Sequence, residues 1–278
     1  MTPRNAYLKA KKARKRLAAL EPIIASDAEA AHYYARDVIK GRWGKSHRAE
    51  LTISQSPQYA FYYARDVVKG RWKPGEATLL TDSVHCVAYV AEVLKRRWKA
   101  AEAVLTDPWD CVSYAEEVIG GRWKKAESYI QTEPESAARY AIDVLQRRWR
   151  LAEPIIAGNA RWAASYAVQV IGGRWPLAEA MIASDDAAAD TYLLVLEQNW
   201  HPKAVTLCSM WMYHYATVHI GGKLPDAMHN RMLMQAMADP QDTWAKKYFS
   251  TPKLQQPKPQ KRRARSRSKA SCRTKGKK

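Results

Sequence analysis

Seven tryptophans set the period of this chain: Trp43, Trp72, Trp98, Trp123, Trp149, Trp175 and Trp200, spaced 29, 26, 25, 26, 26 and 25 residues apart. A tyrosine stands nine residues before each of the first six (Tyr34, Tyr63, Tyr89, Tyr114, Tyr140, Tyr166) and eight before the last (Tyr192). A fixed period in the twenties defines a repeat protein, in which each unit buries its apolar face only against its neighbours. The fold is thereby narrowed to a stack.

The repeat reads YAxxVIxxRWxxAExxI. Sixteen residues before successive tryptophans stand Asp27, Ser56, Asp82, Asp107, Glu133, Asn159 and Ser184. Most of these are side chains that accept a hydrogen bond from the free amides of a helix start. Each predicts a long helix whose Tyr, small residue and Val share one stripe. Gly41, Gly70, Gly120, Gly121, Gly172 and Gly173 are placed to end it in the left-handed conformation that glycine tolerates. A shorter helix follows each tryptophan, with apolar residues three and seven positions on, such as Ala126 and Ile130. No strand-like alternation interrupts the pattern.

The expected fold is all-α, a solenoid of about seven two-helix repeats over residues 26–205. Both ends are degenerate. The string RLAALEPIIA at 16–25 repeats the end of a unit with Leu17 where Trp is expected, so 1–25 reads as a basic helix and half-repeat cap. After Trp200 the pattern decays into a Met-rich stretch, and 206–250 reads as a C-terminal helical cap. The remaining 251–278 reads as a disordered basic tail.

The motif resembles short YA…RW…AE helical repeats of bacteriophage and bacterial proteins, over about residues 16–205. The resemblance implies a helical array of viral origin. It brings no activity and no functional residue with it.

The net charge of +19 is concentrated. Residues 1–20 carry seven Lys/Arg and no acid, residues 251–278 carry twelve and no acid, and 21–250 holds 27 of each sign. The body is formally neutral, so all of the excess lies at the ends. The tail has almost no large apolar residue with which to offset ordering entropy. Its Lys261, Arg262, Arg263, Arg265, Arg267, Lys269 and Arg273 form a polycation expected to hold DNA or RNA without sequence preference, by releasing counterions. A nuclear-import address and a solubilising tail are the competing readings. Phosphorylation at Ser266, Ser268 or Ser271 would weaken phosphate binding. Lys11, Lys12, Arg14 and Lys15 are the N-terminal candidates for the same contact. No apolar run reaches the length of a signal sequence or a membrane span, so a cytoplasmic location and no membrane partner are expected. Cys86 and Cys111 occupy the same place in adjacent repeats and read as buried thiols, in keeping with a reducing compartment.

An arginine precedes the tryptophan in six repeats. Arg97, Arg122, Arg148 and Arg174 could grip phosphates along a groove, or could pair with Glu102, Glu127, Glu153 and Glu179 as a structural ladder. In repeat seven the Arg becomes Asn199 and the Glu becomes Ala204, and this joint loss favours the ladder. The phased Tyr and Trp columns read as core. Tyr33, Tyr59, Tyr62, Trp109 and Trp162 fall outside them and are the candidate partner-binding residues. Seven histidines form no metal-ligand pattern, and no nucleophile motif or phosphate-cradling glycine loop stands out. No metal, cofactor or catalytic residue is therefore assigned, and the oligomeric state is not encoded in any feature of the sequence. The expectation is a non-enzymatic scaffold or adaptor, binding nucleic acid through its basic termini and a protein through its repeats. The alternatives are a purely protein-binding module and, by analogy with HEAT-like DNA glycosylases, a DNA-processing enzyme.

Overall fold

The computed structural model describes residues 1–44 and 47–256. The protein is an all-α repeat solenoid, with no strand among the described residues. Two compact bodies form, one over Met1–Asn199 and one beginning at Trp200.

In the first body each repeat opens on a long helix whose cap lies seven residues before the tyrosine. Asp27, Asp82, Asp107, Asn159 and Asp185 accept the amide three residues on, satisfying one of the free donors of the first turn. Ser56 and Glu133 make no such bond. In repeat seven the cap is Asp185 rather than the expected Ser184, because the residue missing from this repeat lies after the tyrosine, not before it.

That missing residue has a structural counterpart. Where the Tyr-to-Trp spacing is nine, the long helix closes in a π turn: Ala35–Ile39, Tyr63–Val68, Tyr89–Leu94, Ala115–Ile119, Tyr140–Leu145 and Ala167–Ile171. Where the spacing is eight, Asp186–Leu196 runs on as plain α-helix. A π turn takes up one extra residue within a helix, so the insertion and the turn are one feature. The residue that follows is left-handed, with φ of 50–68° at Lys40, Lys69, Lys95, Gly120, Gln146 and Gly172. Gly41, Gly70, Gly121 and Gly173 are therefore not the left-handed residues; the residue before each of them is.

The repeats are joined by one recurring lock. Each core tyrosine is fully buried, and its ring lies 4.9–5.9 Å from its own repeat's tryptophan in the first six repeats. Its hydroxyl reaches back to the preceding repeat. Tyr166 accepts the Trp149 backbone N–H at 2.8 Å and donates to Glu153 at 3.2 Å, and Tyr89 does the same with Trp72 at 2.9 Å and Glu76 at 3.2 Å. The half-repeat obeys the same rule, with Tyr34 accepting from Leu17 and donating to Glu21.

The second body continues the pattern beyond the expected decay. YATVHIGGKL at 215–224 lies in register with YAEEVIGGRW at 114–123. It folds alike, with helix Ser209–His214, π turn Tyr215–Ile220 and a left-handed Gly221 at φ 71°. Leu224 takes the tryptophan's place, its N–H donated to the buried Tyr248 hydroxyl at 3.1 Å, and His229 Nδ1 replaces the glutamate at 2.9 Å. Met212, Met228 and Met232 fill the core beneath, while Met234 and Met237 face outward.

Candidate nucleic-acid interface

Every repeat arginine that precedes a Trp, together with Arg16 of the half-repeat, is held in a bidentate clasp. Arg97–Glu102, Arg122–Glu127, Arg148–Glu153 and Arg174–Glu179 each make two hydrogen bonds of 2.6–2.9 Å. The guanidinium is half exposed in most pairs and the carboxylate nearly buried, 44 % against 11 % in Arg148–Glu153. The arginine's hydrogen bonds hold the Glu76, Glu102 and Glu153 carboxyls below the usual carboxylate range. Burial pushes the Tyr89, Tyr114, Tyr140 and Tyr166 hydroxyls up to about 12, so each stays protonated to donate to its glutamate. The ladder thus leaves no unpaired arginine in the Trp-preceding column of repeats one to six.

The N-terminal helix Pro3–Ala13 starts on Thr2 and buries Ala6, Tyr7 and Ala10. Lys11 is answered by Asp37 at 2.7 Å and by the Tyr7 hydroxyl at 2.9 Å. Lys12, Arg14 and Lys15 are exposed, as are Arg4 and Lys9, and none has an acidic partner among the described residues. Arg4, Tyr7, Lys11, Tyr33 and Arg36 line a cavity of about 300 Å³.

Next to this helix the first two repeats depart from the consensus in aromatic content. His32, 1 % exposed, is ringed by Tyr33, Tyr59 and Tyr62 at 5.1, 6.1 and 6.0 Å. Tyr7 stacks on Tyr33 at 6.0 Å, Arg36 covers Tyr33 at 4.7 Å, and Arg65 covers Tyr62 at 5.0 Å. The structure therefore brings Tyr33 beside Arg4, Lys11 and Arg36 and gathers Tyr33, Tyr59 and Tyr62 around His32. His32 escaped sequence reasoning. The available signal was the aromatic or His pairs at 32–33 and 61–62, where repeats three to six carry Ala, Ser or Val except at Arg139. Burial drives its imidazole down to about 4 despite Asp66, whose carboxylate lies 3.7 Å away.

Trp109 and Trp162 do not join this cluster. Arg139 of the following repeat lies 4.3 Å over the half-exposed Trp109, and Arg161 lies 5.7 Å from Trp162. A separate row of exposed apolar side chains, Val104, Tyr129, Ile155 and Met181, recurs six residues after successive tryptophans. Lys261, Arg262, Arg263, Arg265, Arg267, Lys269 and Arg273 lie outside the described residues.

Among the described residues, no group of three or more His, Cys, Asp or Glu could hold a metal ion, and no helix is long and apolar enough to cross a membrane. Comparison with family models, characterised proteins and solved structures finds no match.

Proposed function

We propose that the protein is a non-enzymatic helical-repeat adaptor of bacteriophage type, working in the cytoplasm. On this reading it holds DNA or RNA without sequence preference through its basic ends, and a protein partner through its repeats. The observation that carries it is the N-terminal segment, where Arg4, Lys9, Lys12, Arg14 and Lys15 are exposed without a salt-bridge partner among the described residues, Arg4 lining the cavity beside Tyr7 and Tyr33. Unpaired cations supply salt-sensitive affinity, and the partly exposed Tyr33, Tyr59 and Tyr62 could add sequence-tolerant contacts to single strands.

The test is the affinity of labelled single- and double-stranded oligonucleotides as salt is varied. The full chain is compared with a deletion of 251–278 and with Lys12→Gln/Arg14→Gln/Lys15→Gln. Both changes should weaken binding and flatten its salt dependence. Unchanged affinity and slope in both would refute the role of the ends.

The exposed row Val104, Tyr129, Ile155 and Met181 favours a second reading, a module that binds protein alone. That reading takes over if the full chain binds no oligonucleotide at low salt.

A further inference from the structure

The formally neutral body is electrically polar. In repeats two to five the segments 69–75, 95–101, 120–126 and 146–152, which turn from the long helix into the short one, contain no acid. Asp82, Asp107, Asp110, Glu133 and Glu135 stand at the helix starts, while Asp66, Glu92, Glu116, Glu117 and Asp143 lie near the turns and Glu76, Glu102, Glu127 and Glu153 just past them. Between the two lies a helix of about twelve residues, such as Pro108–Ile119, roughly 18 Å long at 1.5 Å per residue. That exceeds the ~8 Å Debye length of physiological salt. The helix-start acids therefore do not cancel the turn cations, and most acids nearer the turns are taken up by arginines.

On the basic edge the ladder arginines are neutralised by their glutamates, and a second set of cations is left over. Lys73, Lys99, Lys124 and Arg150 each follow a tryptophan, and Lys69 and Lys95 occupy the left-handed positions of repeats two and three. All six are exposed and none forms a salt bridge among the described residues, although Lys73 and Arg150 lie near enough to Glu76 and Glu153 to stabilise their charge. Successive turns lie on one edge, because each hooks the next repeat's tyrosine by the same bond, and Lys125 Nζ donates back to the Glu102 carbonyl at 3.2 Å. A cavity of about 340 Å³ opens between Lys69 and Lys95, with Arg65 and Glu92 on its walls. Of the nearby acids, Glu92 pairs with Arg65 and Asp143 with Arg139, while Glu116 and Glu117 are exposed. The left-handed lysines are an independent sign. An L-residue costs about 1–2 kcal/mol there, and at Gly120 and Gly172 the same position is filled without that cost.

We propose that this turn edge of repeats two to five is a phosphate track, along which a nucleic-acid backbone lies across the stacked repeats. Three steps of about 10 Å give it a length of roughly 30 Å, close to one ~34 Å turn of duplex. The partner is a polyanion of regular charge, because the edge repeats one cation at each step and asks for no apolar contact. The inference rests on the nucleic-acid reading above and moves part of the grip from the ends onto the frame.

The experiment uses the full chain with Lys69, Lys73, Lys95, Lys99, Lys124 and Arg150 all changed to Gln. Duplex affinity is read against salt, beside the 251–278 deletion. The expected result is a log–log salt slope shallower by about 3, as half of these contacts would give at ~0.9 per phosphate. Affinity at physiological salt should fall about tenfold or more. Exchanging Lys for Arg and Arg for Lys at the same six positions should retain the slope. An unchanged slope in the Gln variant, with binding lost on tail deletion, overturns the track and leaves the basic ends intact. Absence of binding in the unaltered chain overturns both readings. Equal weakening by the charge-retaining variant would mean that fold, not charge, was disturbed, and also counts against the track. Binding to anionic vesicles but not to duplex would assign the edge to lipid.

Discussion

Removing one hydroxyl should uncouple two repeats. Tyr166 is fully buried, accepts the Trp149 N–H at 2.8 Å and donates to Glu153 at 3.2 Å. Tyr166→Phe keeps the ring and its 5.2 Å packing on Trp175. It strands the Trp149 amide at a buried position, which costs about 1–3 kcal/mol. Glu153 keeps both bonds from Arg148, so its charge stays satisfied and the lost tyrosine bond adds only about 1 kcal/mol. The sum is about 2–4 kcal/mol, large against the stability of an ordinary domain. In a stack held by nearest-neighbour terms the loss should appear first at that junction. Urea unfolding measures the total, and hydrogen exchange at the Trp149 amide measures the local opening. Tyr33→Phe, outside the lock, is the control and should cost less than about 0.5 kcal/mol. If Tyr166→Phe costs no more than the control and the Trp149 amide stays protected, the lock is not what joins the repeats.

Lys95→Gly should raise stability by up to about 1 kcal/mol, and Gly172→Ala should lower it by a similar amount, in the same urea titrations. Stability should also fall as pH drops from about 6.5 toward 4. In that window the unfolded chain protonates His32 while burial keeps it neutral in the fold, and His32→Phe should flatten the slope. Cys86 and Cys111 are buried, and burial pushes both thiols up to about 12. A thiol reagent at pH 8 should therefore modify neither until the chain unfolds, and rapid labelling of the native protein would contradict that burial.

Much of this architecture is legible in spacing alone. The tryptophan period, the helix-start acids and the joint loss at Asn199 and Ala204 lead to a stack with an internal Arg–Glu ladder. The rest escapes for identifiable reasons. A pattern anchored on Trp loses the repeat at 215–224, because Leu224 keeps the backbone N–H that the lock uses and discards the indole. Left-handed caps were sought at glycine, and Lys40 and Lys69 defeat that rule. The tyrosine lock joins residues 16 to 20 positions apart across a junction, beyond any local pattern. The aromatic face around His32 depends on packing between repeats, which sequence distance does not reveal.

Charge is where summation misled most. Twenty-seven cations against twenty-seven anions suggests an inert body, yet a sum carries no positions. Arg96, Arg147 and Arg150 apart, the two kinds of cation on the turns divide the work by geometry. Arginine's planar fork matches a carboxylate at two points, and here that fork closes on an internal glutamate and helps fix the turn. Lysine is a mobile point charge on a flexible stem, with no such match to make. It is mainly lysine that stands unanswered beside each clasp, at Lys73, Lys99 and Lys124. A phosphate backbone read without regard to sequence calls for charge at regular intervals, not for bidentate geometry. On the track proposed above, the clasp positions the turn and the neighbouring lysine meets the phosphate. Breaking a clasp, as in Glu102→Gln, leaves the Arg97 charge uncompensated and should then strengthen nucleic-acid binding unless the turn moves, while Lys99→Gln should weaken it with the turn in place.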